Sequence, residues 1–242
     1  MEKIVIYIGY EPRQDIAYEI LKFSLQSNSS SPLEIRPLRL DRLKREASFC
    51  RPHDRLQSTE FTYTRFLVPH LRGFKGRALY MDCDMICFGD IADVYSLDLS
   101  NYWIRVVKQI QVVACPTKMD GRVQTSYPRK NWSSLMLLNC EKLSCWTKED
   151  VEQRPGKWLH RFEPIPDGQI GSIPPQWNVL DRYDNETRMI HYTEGGPWLA
   201  ECRNHLYADI WFEYLERYRQ SVRTEEERSL TLEGEAIATE YK

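Results

Sequence analysis

Apolar residues fall along this chain in short, separated runs, the arrangement of buried strands alternating with amphipathic helices. The first run, Ile4–Gly9, follows Lys3 and stops at a glycine, as a central parallel strand would. Pro12 can open the next helix, and Ile16, Ile20 and Phe23 share one face of residues 15–26. A Ser/Asn-rich turn ending at Pro32 leads to a second strand over residues 33–40. Parallel strands need a crossover of this kind, so the opening quarter predicts an α/β architecture.

Further along, residues 44–57 are polar and contain Pro52, which predicts a loop. Ser58 or Thr59 can cap a helix carrying Phe61, Arg65 and Phe66, with Pro69 expected to stop it. Residues 77–81, 110–114 and 135–138 are the remaining strand candidates, of unreadable direction. Over 146–180 the periodicity weakens and Pro155, Pro164, Pro166, Pro174 and Pro175 predict a long ordered excursion, a usual seat of specificity. Residues 205–220 read as an amphipathic helix packing on a single domain of residues 1–220. The acidic stretch 221–242 has few bulky side chains and reads as a poorly ordered tail.

Composition narrows the function. Thirty-three basic against thirty-five acidic residues give a formal charge of −2, which offers no general attraction for nucleic acid or an anionic membrane. Binding of any phosphate compound must therefore be local. Seven irregularly spaced cysteines, without a start resembling a secretory signal, argue for reduced thiols in the cytoplasm and against a disulfide framework or a zinc site. No stretch approaches a transmembrane span, which leaves peripheral association as the one open route to a membrane.

The candidate chemistry centres on Asp82-Cys83-Asp84, two carboxylates set between apolar runs. If the strand ending at Met81 continues, period-two alternation points residues 82 and 84 to the same side, where two oxygens can face one hard cation such as Mg²⁺ or Mn²⁺. An ordinary strand-end turn is the alternative. His191, followed by Tyr192, Thr193, Glu194, Gly195, Gly196, Pro197 and Trp198, offers an imidazole as third ligand and glycines that let backbone approach a diphosphate. Taken alone, this segment also reads as a Gly-Gly-Pro turn. Tyr7, Gly9 and Tyr10 lie at the end of the first strand, where an aromatic could stack on a base, while the glycine fingerprint of dinucleotide folds and the Lys-bearing phosphate loop are both missing. Arg65 could reach a phosphate or support an acidic loop.

In this order the segments resemble the glycogenin-like and lipopolysaccharide galactosyltransferase-like glycosyltransferases grouped as family eight. The similarity runs over about residues 1–198: Ile4–Gly9, then Phe61-Thr62-Tyr63-Thr64-Arg65-Phe66-Leu67-Val68-Pro69, then residues 77–91 around the acidic pair, residues 131–139, and residues 191–198. The resemblance implies a GT-A nucleotide-diphospho-sugar transferase fold, with a mixed, mostly parallel sheet flanked by helices. It also implies metal-dependent hexose transfer to a hydroxyl acceptor with retention of configuration. On it, Asp82, Asp84 and His191 hold Mn²⁺, with Mg²⁺ as a substitute. Tyr7, Gly9, Arg65, Asp82, Cys83, Asp84, Gly195 and Gly196 face a nucleotide-sugar donor, UDP-linked ahead of GDP-linked. Asp167 and Gln169 lie at the reaction centre, and the acceptor is a glycan, a lipid-linked glycan or a protein hydroxyl. Three positions depart from the family pattern. Gly196 stands where a lysine usually precedes Pro-Trp, Asp167-Gly168-Gln169 replaces an adjacent Asp-Gln pair, and Asn131-Trp132-Ser133-Ser134 lacks the usual glycine. These departures set up a competing reading, a nucleotide-sugar-binding or interaction protein with weak or no transfer.

Overall fold

The computed structural model describes residues 3–46, 49–54, 57–109 and 128–240, with residues 225–240 described by backbone alone. Strand β1 (Ile4–Gly9) is buried throughout, and a 3-10 turn with Pro12 at its start leads into helix α1 (Asp15–Asn28). Strand β2 (Leu33–Leu38) returns parallel to β1, from Ile4 opposite Leu33 to Gly9 opposite Leu38, and is followed by the short helix α2 (Leu40–Arg45). The predicted helix over residues 59–68 is instead a chain of short pieces: α3 (Phe61–Thr64), a 3-10 turn Arg65–Leu67 and α4 (Val68–Leu71). Pro69 does not stop this segment. It sits in the first turn of α4, where a missing N–H leaves no bond unmade.

Strand β3 (Arg77–Met81) pairs parallel with β1 on the side away from β2, and β4 (Met85–Cys87) follows after three residues. Helix α5 (Ala92–Tyr95) and strand β5 (Ile104–Val106) come next, and β6 (Leu135–Asn139) runs antiparallel to both β3 and β5. The strand expected over 110–114 lies outside the described residues. The proline-rich excursion holds helices α6 (Lys148–Gln153) and α7 (Gly156–His160), and strand β7 (Ile170–Ser172), which closes the sheet parallel to β5. The six-stranded order is β2-β1-β3-β6-β5-β7, with three parallel and two antiparallel pairings. Strands β8 (Val179–Leu180) and β9 (Met189–His191) join β4 in a second sheet ordered β4-β9-β8.

Alternation makes both faces of the large sheet apolar. Val5, Tyr7, Ala78, Tyr80, Met136 and Leu138 enter one core, with Phe66, Trp146 and Phe162 opposite. Ile4, Ile6, Ile8, Leu79, Met81, Leu135 and Leu137 enter the other, under α1. A third cluster joins Ile20 of α1, Ile86 and Ile190 of the small sheet, and Trp211 and Tyr214 of the last helix, α8 (Ala208–Glu240). That helix runs on through the stretch expected to be a poorly ordered tail. Six glutamates lead the composition there, and with the arginines, leucines and alanines they favour helix even with few bulky side chains. Among the described residues no helix is long and apolar enough to cross a membrane.

Candidate active site

The acidic pair occupies the link between the two sheets, because β3 ends at Met81 in the large sheet and β4 begins at Met85 in the small one. The Asp82 amide donates to the Ser134 carbonyl at 2.9 Å, tying the link to the start of β6. The Tyr192 amide donates to the Asp84 carbonyl at 2.9 Å, and Met85 pairs with His191, which brings the end of β9 alongside. Oxygens of Asp82 and Asp84 and a ring nitrogen of His191 consequently lie within 4.8 Å of one another. The two carboxylates converge because the chain bends from one sheet to the other. A continuing strand, the basis of the sequence argument, is not what aligns them.

Each ligand candidate has its own support. Tyr80 of β3, two residues before Asp82, donates its hydroxyl to Asp82 Oδ1 at 2.6 Å. Buried Arg65 lies 3.0 Å from the same oxygen and also donates to the carbonyls of Ser133 at 3.0 Å and Phe61 at 3.2 Å. Gly9 makes room for this arrangement, since a Cβ there would stand 2.6 Å from both the Tyr80 hydroxyl and the Phe61 ring. His191 Nε2 is 3.1 Å from Asp84 Oδ1, and that oxygen is buried with no hydrogen-bond partner among the described residues.

A buried carboxylate oxygen without a donor is costly, and a divalent cation between two carboxylates and an imidazole removes that cost with ligands such ions accept. The donor set therefore fits Mn²⁺ or Mg²⁺. Burial drives the Asp82 carboxyl above its usual value, and Asp84 adds to the rise against the opposing Arg65 charge. At Asp84 burial acts in the same direction, but His191, a backbone hydrogen bond and the Arg65 charge together outweigh it and hold the carboxyl low. Burial disfavours the charged His191 ring, yet Asp84, with Asp82 and Asp181 behind it, more than offsets this and raises its pKa. The site thus attracts positive charge, from a proton or from a metal.

The other sequence candidates divide. Cys83 is buried in the core beneath α1, where its thiol donates to Gln14 Oε1 at 3.3 Å. Tyr7 is turned into the opposite core, and its hydroxyl accepts from Arg36 at 3.0 Å instead of meeting the acidic pair. Tyr10 donates to Asp15 at 2.6 Å, with Arg39 lying 4.3 Å from its ring centroid. Asp167 is 88% exposed in side chain, paired with Arg129, and borders an open cleft of about 300 Å³ with Arg161, Phe162 and Glu163. The Gln169 backbone accepts from Trp103 at 2.9 Å at the head of β7. The described contacts bring neither Asp167 nor Gln169 to the triad.

Gly196 has a reason of its own. A Cβ built there would fall 1.9 Å from the ring of Trp198, which folds back over it. A lysine at this position is therefore incompatible with the packing of Trp198 against Tyr192 and Trp211. Gly196→Ala is expected to cost about 1–3 kcal/mol, the usual penalty of overpacking. A urea midpoint equal to that of the unaltered protein would contradict this.

Sequence reasoning passed over His160 on α7. Its Nδ1 is 3.0 Å from Ser133 Oγ, and burial, helped by the charge of Arg65, pushes its pKa down to about 3. Between pH 6.5 and 3 the unfolded chain binds a proton that the folded chain does not. Stability should fall with acidification across that window by up to about 1.4 kcal/mol per pH unit from this group. Comparing urea unfolding of the unaltered and His160→Asn proteins at pH 7 and pH 5 isolates the effect, which requires the variant to lose less stability on acidification.

Three comparisons bear on this geometry. Residues 26–202 match the family described as glycosyl transferase family 8. Protein CDI of Arabidopsis thaliana is 38% identical over 230 residues, covering 91% of this chain and 89% of that protein. Among solved structures, the apo form of the glycosyltransferase GlyE from Streptococcus pneumoniae TIGR4 superposes with a TM-score of 0.56 at 16% identity, over 88% of this chain and 60% of that one. The galactosyltransferase LgtC, solved with donor and acceptor sugar analogues, gives 0.54 at 13% identity, over 87% and 95%. At such identities the likeness shows the fold, which is the GT-A arrangement expected from the sequence. With the family matched over most of its length and the Asp82, Asp84 and His191 triad assembled where its two sheets meet, the chain belongs to glycosyl transferase family 8 and is a glycosyltransferase.

Proposed function

We propose that this enzyme transfers a hexose from a nucleotide-diphosphate sugar, UDP-linked ahead of GDP-linked, to a hydroxyl of a glycan, lipid-linked glycan or protein, with retention of configuration and dependence on Mn²⁺. The observation that carries the reading is the convergence of Asp82, Asp84 and His191, with the buried Asp84 Oδ1 making no well-formed hydrogen bond and facing His191 Nε2 at 3.1 Å. A divalent ion held there would supply charge stabilisation to the departing diphosphate. Around it the protein's own groups do the positioning. Tyr80 and Arg65 fix one oxygen of Asp82, and Arg65 offsets the second negative charge in a buried site. The fold shared with LgtC, which was solved with donor and acceptor sugar analogues, supports a donor side and an acceptor side on this scaffold as well. The described cysteines form no disulfide, which supports work in the reducing cytoplasm, and this reading allows peripheral contact with a membrane-borne acceptor.

Two observations favour a second reading, binding of nucleotide sugar with weak or no transfer. Gly196 leaves no room for the family's lysine, and Asp167 is exposed and paired with Arg129. Incubation with UDP- and GDP-hexoses and a panel of acceptors, in Mn²⁺ or in chelator, separates the two. Metal-dependent product whose anomeric proton coupling matches the donor's supports transfer. Donor binding without product supports the second reading, and neither binding nor product contradicts both.

A further inference from the structure

Asn178 precedes β8 and is 1% exposed, and its carbonyl accepts from Gln109 Nε2 at 2.6 Å. Its side chain lies between two groups of opposite demand. Asn178 Oδ1 is 3.0 Å from His191 Nδ1, and Asn178 Nδ2 is 2.8 Å from Ser134 Oγ. The Ser134 hydroxyl in turn lies 2.7 Å from the Asn131 carbonyl, which can only accept.

These contacts fix the direction of every proton along the row. Ser134 has one hydroxyl proton, and the Asn131 carbonyl takes it, so Ser134 offers Asn178 a lone pair. Asn178 must therefore donate through Nδ2, which turns Oδ1 toward the imidazole. An amide oxygen at Nδ1 requires a proton there. The nitrogen left to face Asp84, 3.1 Å away, is Nε2. We propose that Asn178 is a positioning residue, set by Ser134 and the Asn131 carbonyl, that holds His191 in its Nδ1-protonated form and commits Nε2 to a divalent cation. This rests on the metal-site reading above. An uncharged amide suits the place, because it orients the ring without adding a third carboxylate beside Asp82 and Asp84.

The test is a Mn²⁺ titration followed by electron paramagnetic resonance in saturating UDP, on the unaltered protein and on Asn178→Leu and Asn178→Asp. Removing a partner of this kind typically weakens metal binding about 10–100-fold, the loss expected of Asn178→Leu. Asn178→Asp retains an acceptor for Nδ1 and should recover most of it. Nitrogen-15 shifts of the His191 ring in the unaltered protein, with Mg²⁺ and UDP at pH 8, read the protonated nitrogen directly and keep the proposal testable if Asn178→Leu does not fold. A folded Asn178→Leu protein with undiminished affinity, or a His191 ring protonated at Nε2 in the metal complex, overturns the role of Asn178 and leaves the metal site standing. An unaltered protein that takes up no Mn²⁺ with UDP overturns both.

Discussion

Asp84→Asn should lower metal-dependent sugar transfer by about 10²–10³-fold or more, the scale seen when one preorganised charge-stabilising group is lost from an active site. The substitution keeps the shape of the side chain and removes an oxygen charge that the fold itself leaves without a hydrogen bond. It also relieves repulsion from Asp82, which is buried beside it. The loss of the His191 attraction works the other way, so the melting temperature should change little while turnover collapses. Initial rates at saturating donor across a Mn²⁺ series, with a melting curve of each protein, check both halves. Undiminished turnover with intact metal dependence would remove Asp84 from the site.

Arg65→Leu should have the largest effect on stability. Arg65 is buried between the Phe61 and Tyr80 rings, about 5 Å from each centroid, and its guanidinium reaches Asp82 and the Ser133 carbonyl. Breaking such a pair from one side leaves Asp82 buried without its counter-charge, which typically costs about 3–5 kcal/mol. In a domain of this size that corresponds to a melting temperature lower by about 6–20 °C. Saturating Mn²⁺ with UDP should close part of the gap, because the ion supplies positive charge to the same carboxylate. A melting curve unchanged by the substitution would show that Asp82 does not depend on Arg65.

Much of this was legible in the residues themselves. The Ile4–Gly9 and Arg77–Met81 strands stand out because each carries an unbroken, buried apolar run, Ile4–Ile8 and Ala78–Met81. The metal triad was readable from residue type once the order of segments resembled the family. Its geometry was not, since convergence depends on the crossing from the large sheet to the small one and on the pairing of Met85 with His191, a contact 106 positions apart in sequence. Strands β5 and β7 have three residues each, too few for alternation to register, and β7 lies among prolines. Tyr80 could have been found from its spacing of two before Asp82. Asn178 and His160 could not, because each owes its role to partners on distant segments. The side-chain placement of Cys83 and Tyr7 was not legible either. Strand-end position does not say which way a side chain turns, and both are drawn into the core.

If the triad holds a divalent ion against a nucleotide diphosphate, as proposed, nucleotide and metal should stabilise the fold together. The measurement is the melting of the protein with UDP, GDP and their sugar conjugates, with and without Mn²⁺, beside the Asp84→Asn variant. At a ligand concentration 100 times its Kd, binding should add about 2.7 kcal/mol to the folded state. A rise that needs both nucleotide and metal, and is lost in the variant, is the predicted result; no rise with any nucleotide in saturating Mn²⁺ would contradict the account.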